Sequence, residues 1–171
     1  MLISPRYRDL NKRLHESSAT YGANAWKDAD AVVGLARRYS ANTLLDYGCG
    51  KGTLKKILAR PAFMPDLKVY EYDPALNKDE RRVCDIAVCL DVLEHIEPAY
   101  LHDVLADLRA WADKALFVKI ATRESRKRLE DGRNAHLIIE DGAWWFREVS
   151  QLFTVVNYQN NRDREVYIEA T

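Results

Sequence analysis

The feature that most constrains this chain is a glycine cluster between a short apolar run and a helix-like segment. The apolar residues 43–45 precede Asp46, and Gly48, Gly50 and Gly52 follow it. Glycine has no Cβ, so the backbone there can turn sharply and approach a ligand. The helix that follows offers unpaired N–H groups at its first turn. The pattern predicts a strand, a glycine turn and a helix, with the polar end of a ligand bound at the turn.

An acidic residue at the end of the next predicted strand indicates the class of ligand. The apolar run 67–70 predicts that strand, and Asp73 lies 21 residues after Gly52. In doubly wound nucleotide sites, a carboxylate at this place accepts hydrogen bonds from both ribose hydroxyls. Asp73 and Pro74 also form an ordinary turn-opening pair, which is the structural alternative. Together, the acid and the glycine turn predict a nucleoside ligand.

Length and composition limit the remaining interpretations. The 171 residues suit one domain, and 47% hydrophobic with 30% charged residues predict a soluble globular fold. The 26 basic and 26 acidic residues cancel, so net charge favours no polyanion or anionic membrane as partner. Cys49, Cys84 and Cys89 match no zinc or redox spacing, so we predict reduced thiols and no metal site. No apolar run has the length of a signal peptide or membrane span, and we expect a cytoplasmic protein.

Strand-like and helix-like segments alternate along the chain. Residues 1–40 predict an N-terminal helical cap, whereas 41–171 predict a core of alternating strands and helices. Four later segments are strand-like, at residues 86–90, 115–120, 153–158 and 165–169. The last two flank a polar hairpin signal at 159–163. We therefore predict a single α/β domain over 1–171, with a mainly parallel sheet and helices on both faces.

The glycine turn resembles motif I of the class I S-adenosylmethionine-dependent methyltransferases. That family has the tight spacing G-x-G-x-G and an acid two residues before the first glycine, as Asp46 is here. The segment 85–96 looks like the family's fourth strand and its continuation. The resemblance implies S-adenosylmethionine as cofactor. It implies that Asp46 approaches the methionine amino group, that the turn 48–52 packs on methionine and ribose, and that Asp73 holds the ribose.

One segment departs from that family. Only 11 residues separate Asp73 from Asp85, where a helix, a third strand and an acidic adenine-binding loop usually intervene. A parallel crossover alone takes about a dozen residues, so we predict a third strand that is absent or only a few residues long. Asp91 or an aromatic side chain would then supply the adenine contact. The predicted cofactor-binding residues are Asp46, Gly48, Cys49, Gly50, Gly52, Asp73 and Asp91.

The resemblance also implies the topology of the sheet. We expect a Rossmann-like three-layer αβα sandwich with strand order 3-2-1-4-5-7-6 and an antiparallel last hairpin strand. A narrower likeness, carried by the segments 46–54, 72–75 and 131–137, is to small bacterial and phage methyltransferase-like proteins. That likeness identifies a group of proteins without identifying a substrate.

The connection that leaves the fifth strand is the predicted acceptor site. Such a connection returns over the carboxyl edge of the sheet, where ligands bind in these folds. It carries Arg133 to steer an anionic group, Asn134 to orient the acceptor, and His136 as the general base. Of the adjacent Trp144 and Trp145, we expect one in the core and assign Trp144 to the substrate pocket. The alternative is that Asn134 and His136 brace a loop through backbone carbonyls.

Two neighbouring features leave alternatives open. The charged segment 123–133 is either a solvated face or an anion-binding patch at the mouth of the acceptor site. Glu94 and His95 follow the fourth predicted strand. His95 either takes part in catalysis or forms hydrogen bonds to the backbone at a helix start.

The sequence therefore predicts S-adenosylmethionine-dependent methyl transfer by in-line displacement. The acceptor stays open among small molecules, proteins and nucleic acids, and no oligomeric state is favoured. A catalytically silent cofactor-binding or interaction protein on the same fold is the alternative, favoured by the compressed segment 74–84. Glycine spacing and chain length argue against a nicotinamide-dependent oxidoreductase. The residues 90–93 replace the Asn-Pro-Pro-Tyr tetrad of DNA adenine methyltransferases, which argues against that activity.

Overall fold

A computed structural model describes residues 1–161 and 164–171. The helices are α1 (Pro5–Ser17), α2 (Ala29–Arg38), α3 (Thr53–Leu58), α4 (Leu101–Trp111) and α5 (Gly142–Ser150). The strands are β1 (Thr43–Tyr47), β2 (Lys68–Asp73), β3 (Lys78–Asp79), β4 (Cys84–Leu90), β5 (Ala112–Ala121), β6 (Val155–Asn160) and β7 (Glu165–Ala170). The predicted hairpin connection includes Arg162 and Asp163, which lie outside the described residues. Among the residues described, no helix is both long and apolar enough to cross a bilayer.

The described strands form a seven-stranded sheet in the order β3-β2-β1-β4-β5-β7-β6, which is the predicted order. β1 pairs in parallel with β2 and β4, and β4 pairs in parallel with β5. β7 runs antiparallel to both β5 and β6, which confirms the expected antiparallel hairpin strand. The carboxyl ends of the four parallel strands β1, β2, β4 and β5 therefore lie at one edge of the sheet.

Helices cover both faces of the sheet because its central strands are apolar on both faces. Alternation along β1 sends Leu44 into a buried cluster with α2 and α3, and Leu45 into a cluster with α4 and α5. Ile86 and Ala87 of β4 likewise divide between the two clusters, which explains the continuous apolar run of that strand. The result is the predicted αβα sandwich.

The third strand is reduced, as predicted. β3 has two residues and pairs antiparallel with the end of β2. A single turn of 3-10 helix at Pro74–Leu76, followed by Asn77 with a φ of 55°, reverses the chain between them. So short a connection cannot cross the sheet, and the chain returns antiparallel instead of parallel. This antiparallel direction was not predicted from the sequence.

The N-terminal segment covers the carboxyl edge of the sheet. Ser4 caps α1 by accepting a hydrogen bond from the backbone nitrogen of Tyr7 at 3.1 Å. Tyr7 and Leu14 of α1 are buried against Leu129 and Ala135, which lie in the connection after β5. Because α1 also contacts the 3-10 turn after β2, it bridges the connections that follow β2 and β5.

Candidate active site

A cavity of about 710 Å³ lies at the carboxyl edge of the sheet, beneath the N-terminal segment. Pockets for small ligands enclose about 300–1,000 Å³, so the cavity has room for a ligand of that class. The connections after β1, β2, β4 and β5 all contribute to its wall. Five residues predicted from the sequence line it: Gly48, Cys49, Asp73, Asp91 and His136.

Backbone hydrogen bonds fix the glycine turn against the neighbouring strand. The nitrogen atoms of Gly48 and Cys49 both donate to the carbonyl oxygen of Tyr72, at 2.7 and 3.0 Å. Gly48 and Gly50 have φ values of 81° and 50°, which glycine adopts without steric cost. A Cβ on Gly50 would lie 2.4 Å from the carbonyl oxygen of Gly22. The turn therefore needs glycine there for its conformation and for its contact with the N-terminal segment.

Asp73 ties the glycine turn to the end of β2. Its Oδ2 accepts a hydrogen bond from the backbone nitrogen of Gly50 at 3.0 Å. Its Oδ1 accepts from the backbone nitrogens of Ala75 and Leu76, at 3.0 and 3.3 Å. Asp73 is 6% exposed and lines the cavity. A carboxylate has about four acceptor positions, so these three donors leave about one for a hydroxyl group in the cavity.

Asp46 lies behind the turn, outside the cavity wall. Burial, with a further contribution from Glu71, raises the pKa of Asp46 to about 7, although Lys78 opposes the shift. Its Oδ2 is buried without a hydrogen-bond partner among the described residues. The ammonium group of Lys78 donates to the carbonyl oxygen of Gly50 at 3.2 Å and to Glu71 at 3.3 Å. The short β3 thus places a cation directly behind the glycine turn.

Glu94, His95 and His136 meet on another wall of the cavity. The two imidazole rings are edge to face, with centroids 4.7 Å apart. Burial lowers the pKa of His95 to about 3 and also lowers that of His136. Glu94 is fully buried, which raises its pKa to about 8. The cluster therefore combines two neutral imidazoles with a carboxyl group that burial keeps protonated near neutral pH.

The amino-acid sequence matches a family of methyltransferase domains over residues 9–164. The chain belongs to this methyltransferase family. No curated protein sequence matches the chain.

Solved structures with the fold of this methyltransferase domain differ widely in the acceptors they are named for. A complex of DhpI with S-adenosylhomocysteine has 15% identity, covers 96% of this chain and 95% of its own, and gives a TM-score of 0.61. The Burkholderia thailandensis 1,6-didemethyltoxoflavin-N1-methyltransferase, with its acceptor and S-adenosylhomocysteine bound, has 20% identity, coverages of 99% and 91%, and a TM-score of 0.64. The small RNA methyltransferase HEN1 has 16% identity, coverages of 85% and 25%, and a TM-score of 0.63.

Asp91 of the methyltransferase domain lies in an ion-pair network. It has a φ of 55°, and its carboxylate lies 3.3 Å from the Lys119 ammonium group. The same ammonium group lies 3.1 Å from Asp28 and 4.0 Å from Glu165. Burial lowers the pKa of Lys119, but Asp91 and Asp28 outweigh it and raise the pKa overall. Lys119 therefore stays charged, and it lines the cavity together with Asp91.

The predicted acceptor residues do not all reach the cavity of the methyltransferase domain. Arg133 is paired with Asp131 at 2.8 Å and lines a separate surface pocket. Asn134 braces its loop, because its amide nitrogen donates to the carbonyl oxygen of Ser125 and its oxygen accepts from the nitrogens of Ser125 and His136. Trp144 packs half-buried against the core and meets the fully buried Trp145 edge to face at 4.9 Å.

Three cations of the connection after β5 do line the cavity. They are Arg123, Arg126 and Lys127, and all three are exposed. Within residues 1–161 and 164–171, none of them has an acidic partner within 4.0 Å. From the sequence we predicted that Arg133 steers an anionic group of the acceptor. In the structure, these three side chains line the cavity and Arg133 does not.

Three further residues near the cavity were not among the site residues predicted from the sequence. Lys78 is one, because only the reversed β3 brings it behind the glycine turn. Glu94 and His95 are the others, and they were visible as an adjacent acid and imidazole after a buried strand. His136 joins them through a loop fold that sequence periodicity does not report. Among the predicted cofactor residues, Asp46, Gly50 and Gly52 lie beside the cavity and do not line it.

Proposed function

We propose that this chain binds S-adenosylmethionine and transfers its methyl group to a polar acceptor held in the same cavity. One observation carries the proposal: a single cavity is lined by Gly48 and Asp73 on one side and by His136 on another. A methyltransferase needs both sets of groups on one cavity, because donor carbon and acceptor atom must align within reacting distance.

The cofactor half rests on the glycine turn and Asp73. The remaining acceptor position of Asp73 suits a ribose hydroxyl. The turn exposes Gly48 and Cys49 to the cavity, where a methionine chain can pack against the backbone. Asp91, which follows β4 and lines the same cavity, is the candidate for the adenine contact. The family and the complexes of its structural neighbours with S-adenosylhomocysteine support the same ligand.

The transfer is an in-line displacement. The acceptor atom forms a bond to the methyl carbon while the bond from that carbon to sulfur breaks, and S-adenosylhomocysteine leaves with the electron pair. A protonated acceptor must also lose a proton. His136 is suited to take it, because burial lowers its pKa and keeps the ring neutral. Its Nδ1 donates to the carbonyl oxygen of Arg123 at 2.5 Å, so Nε2 is the basic atom.

The acceptor carries an anionic portion in this proposal. Arg123, Arg126 and Lys127 line the cavity without acidic partners among the described residues. Guanidinium and ammonium groups bind carboxylates and phosphates through charge-assisted hydrogen bonds. Anionic small molecules and nucleic acids both satisfy this requirement.

Transfer of labelled methyl groups from S-adenosylmethionine tests the proposal. Fractions of a cell lysate, separated by anion exchange, are incubated with the protein and the labelled cofactor. We expect label in strongly retained fractions. The double variant Arg126→Gln, Lys127→Gln should lower labelling, whereas Arg147→Gln, an exposed change on α5, should not. Label confined to unretained fractions would contradict an anionic acceptor.

A catalytically silent cofactor-binding protein is the second candidate. It is favoured by the compressed segment 74–84, which holds only the two-residue β3. Binding of S-adenosylhomocysteine without transfer to any fraction would support this candidate over the enzyme.

A further inference from the structure

The cluster of Glu94, His95 and His136 brings together three side chains that commonly bind metals. Each offers one ligand atom, and the three atoms lie within 4.8 Å of one another. The first two residues form a 3-10 turn after β4, and His136 lies in the connection after β5. Donors bound at about 2.0–2.2 Å to one tetrahedral cation lie about 3.3–3.6 Å apart, so a bound cation would draw these three groups slightly closer together. The spacing therefore suits one shared cation.

Backbone carbonyls orient both imidazoles in the same way. The Nδ1 atom of His95 lies 2.7 Å from the carbonyl oxygen of Ala135, and that of His136 lies 2.5 Å from the carbonyl oxygen of Arg123. A carbonyl oxygen can only accept, so both Nδ1 atoms carry the hydrogen and both Nε2 atoms keep a lone pair. Metal-binding histidines are typically oriented by this second hydrogen bond.

The three ligand groups lack other partners for these lone pairs. In the described part of the chain, neither Nε2 atom has a hydrogen-bond partner. Glu94 is fully buried, and its Oε1 accepts from the backbone nitrogen of Ala121 at 3.0 Å. Its Oε2 is buried and has no partner among those residues. Burying an unpaired carboxyl oxygen is costly, and a bound cation, which would displace the carboxyl proton, removes that cost.

We propose that Glu94, His95 and His136 bind a divalent transition-metal cation. Two imidazoles and one carboxylate are a donor set for Zn²⁺ that leaves a coordination position open, and related 2-His-1-carboxylate sites bind other transition metals. All three residues line the cavity, so the open position faces the acceptor half of the proposed methyltransferase site.

The role of the cation rests on the proposed function. An acceptor oxygen bound at the open position would have its pKa lowered by the cation, which favours loss of its proton before methyl transfer. The Nε2 atom of His136 is then a ligand and not the general base. Cation binding itself is independent of the methyl donor and can be measured without it.

Metal titration of the chelator-treated 171-residue chain tests the site. Zn²⁺ is added by calorimetry, and Co²⁺ is added while its visible absorption is followed. We expect one equivalent of either cation per chain, with Co²⁺ bands typical of a low-coordinate nitrogen and oxygen site. Glu94→Gln and His136→Gln should each weaken binding at least about tenfold. His102→Gln removes an exposed imidazole from α4 and should bind as the wild type does.

Titrations of cation and of cofactor product into the same protein separate this proposal from the proposed function. Wild-type protein that binds neither cation overturns the metal site, and so does undiminished binding by folded His136→Gln protein. If a variant does not fold, the Co²⁺ spectrum of the other variant decides. S-adenosylhomocysteine is titrated into the same chelated wild-type protein. Heat from that ligand without cation binding leaves the proposed methyltransferase intact, whereas cation binding without it supports the metal site alone.

Discussion

The backbone nitrogen of Gly50 donates a hydrogen bond to the Asp73 carboxylate at 3.0 Å. The glycine turn after β1 and the acid after β2 are therefore one structural unit, although they lie far apart in the sequence. These two strand ends lie side by side because β1 and β2 pair in parallel. A change at Asp73 should for that reason alter both ligand binding and the shape of the turn.

Replacing Asp73 tests the ribose contact. We expect Asp73→Ala to weaken binding of S-adenosylhomocysteine by about 1.5–3 kcal/mol, the scale of a charge-assisted hydrogen bond. The variant also loses the cap of the turn at Pro74–Leu76, with a loss of stability of about 0.5–2 kcal/mol. Calorimetry and chemical denaturation measure the two effects. Asp66→Asn, an exposed change before β2, is the control. Equal ligand affinity in folded Asp73→Ala protein would move the ribose contact elsewhere.

Gly50 tests the contact between the turn and the N-terminal segment. A Cβ there would lie 2.4 Å from the Gly22 oxygen and 2.9 Å from the Gly22 Cα, and φ is positive. We expect Gly50→Ala to lower the free energy of unfolding by about 1–3 kcal/mol. Gly34→Ala is the matched control, because its Cβ meets nothing within 4 Å and Gly34 lies inside α2. That change should raise stability by about 0.5–1 kcal/mol. Denaturant titrations that rank the two variants in the reverse order would exclude this packing.

Much of the fold follows from local signals in the sequence. The apolar run before Asp46, the alternating glycines and the continuous run of β4 each report a local requirement of the backbone or of burial. Pro98 begins the 3-10 turn that precedes α4, because its fixed φ and its missing N–H suit the first position of a helix. The strand order was predicted from the resemblance to the methyltransferase family and not from these local signals.

What the sequence did not predict concerns contacts that no local signal reports. Arg133 pairs with Asp131 two residues away and lines a separate surface pocket. The antiparallel direction of β3 depends on a reversal that ends at Asn77, and its consequence is a cation behind the glycine turn. His95 and His136 come together only because the loop after β5 folds back over the turn after β4.

Stability should depend on pH through Asp46. Burial raises its pKa in the folded protein from an ordinary 3.8 to about 7. The folded state then binds more protons than the unfolded state between these values, so this contribution to stability falls as pH rises from about 4 to about 7. Asp46→Asn removes the penalty and should gain at least about 1.4 kcal/mol relative to wild type between pH 4 and pH 8. Denaturation of both proteins across that range measures it. A difference that stays constant with pH would contradict the buried carboxyl group.

Lys119 should matter more for stability than other paired lysines. Its side chain is 12% exposed and compensates Asp28, Asp91 and Glu165. We expect Lys119→Met to cost about 3–5 kcal/mol, because the buried Asp28 carboxylate loses its counter-charge. Lys114→Met breaks a pair with Asp85 whose lysine is 39% exposed, and should cost about 0–1 kcal/mol. Denaturant unfolding of both variants measures the two losses. If Lys119→Met and Lys114→Met lose similar stability, the network around Lys119 does not depend on its charge.

Binding of S-adenosylhomocysteine to the wild-type chain is the decisive test of the proposed cofactor site. Isothermal titration calorimetry needs no knowledge of the acceptor, and the demethylated product cannot react. We expect one site per chain with a micromolar dissociation constant, and weaker binding by Asp73→Ala. Absence of heat with both S-adenosylhomocysteine and S-adenosylmethionine, from protein that circular dichroism shows to be folded, would contradict it.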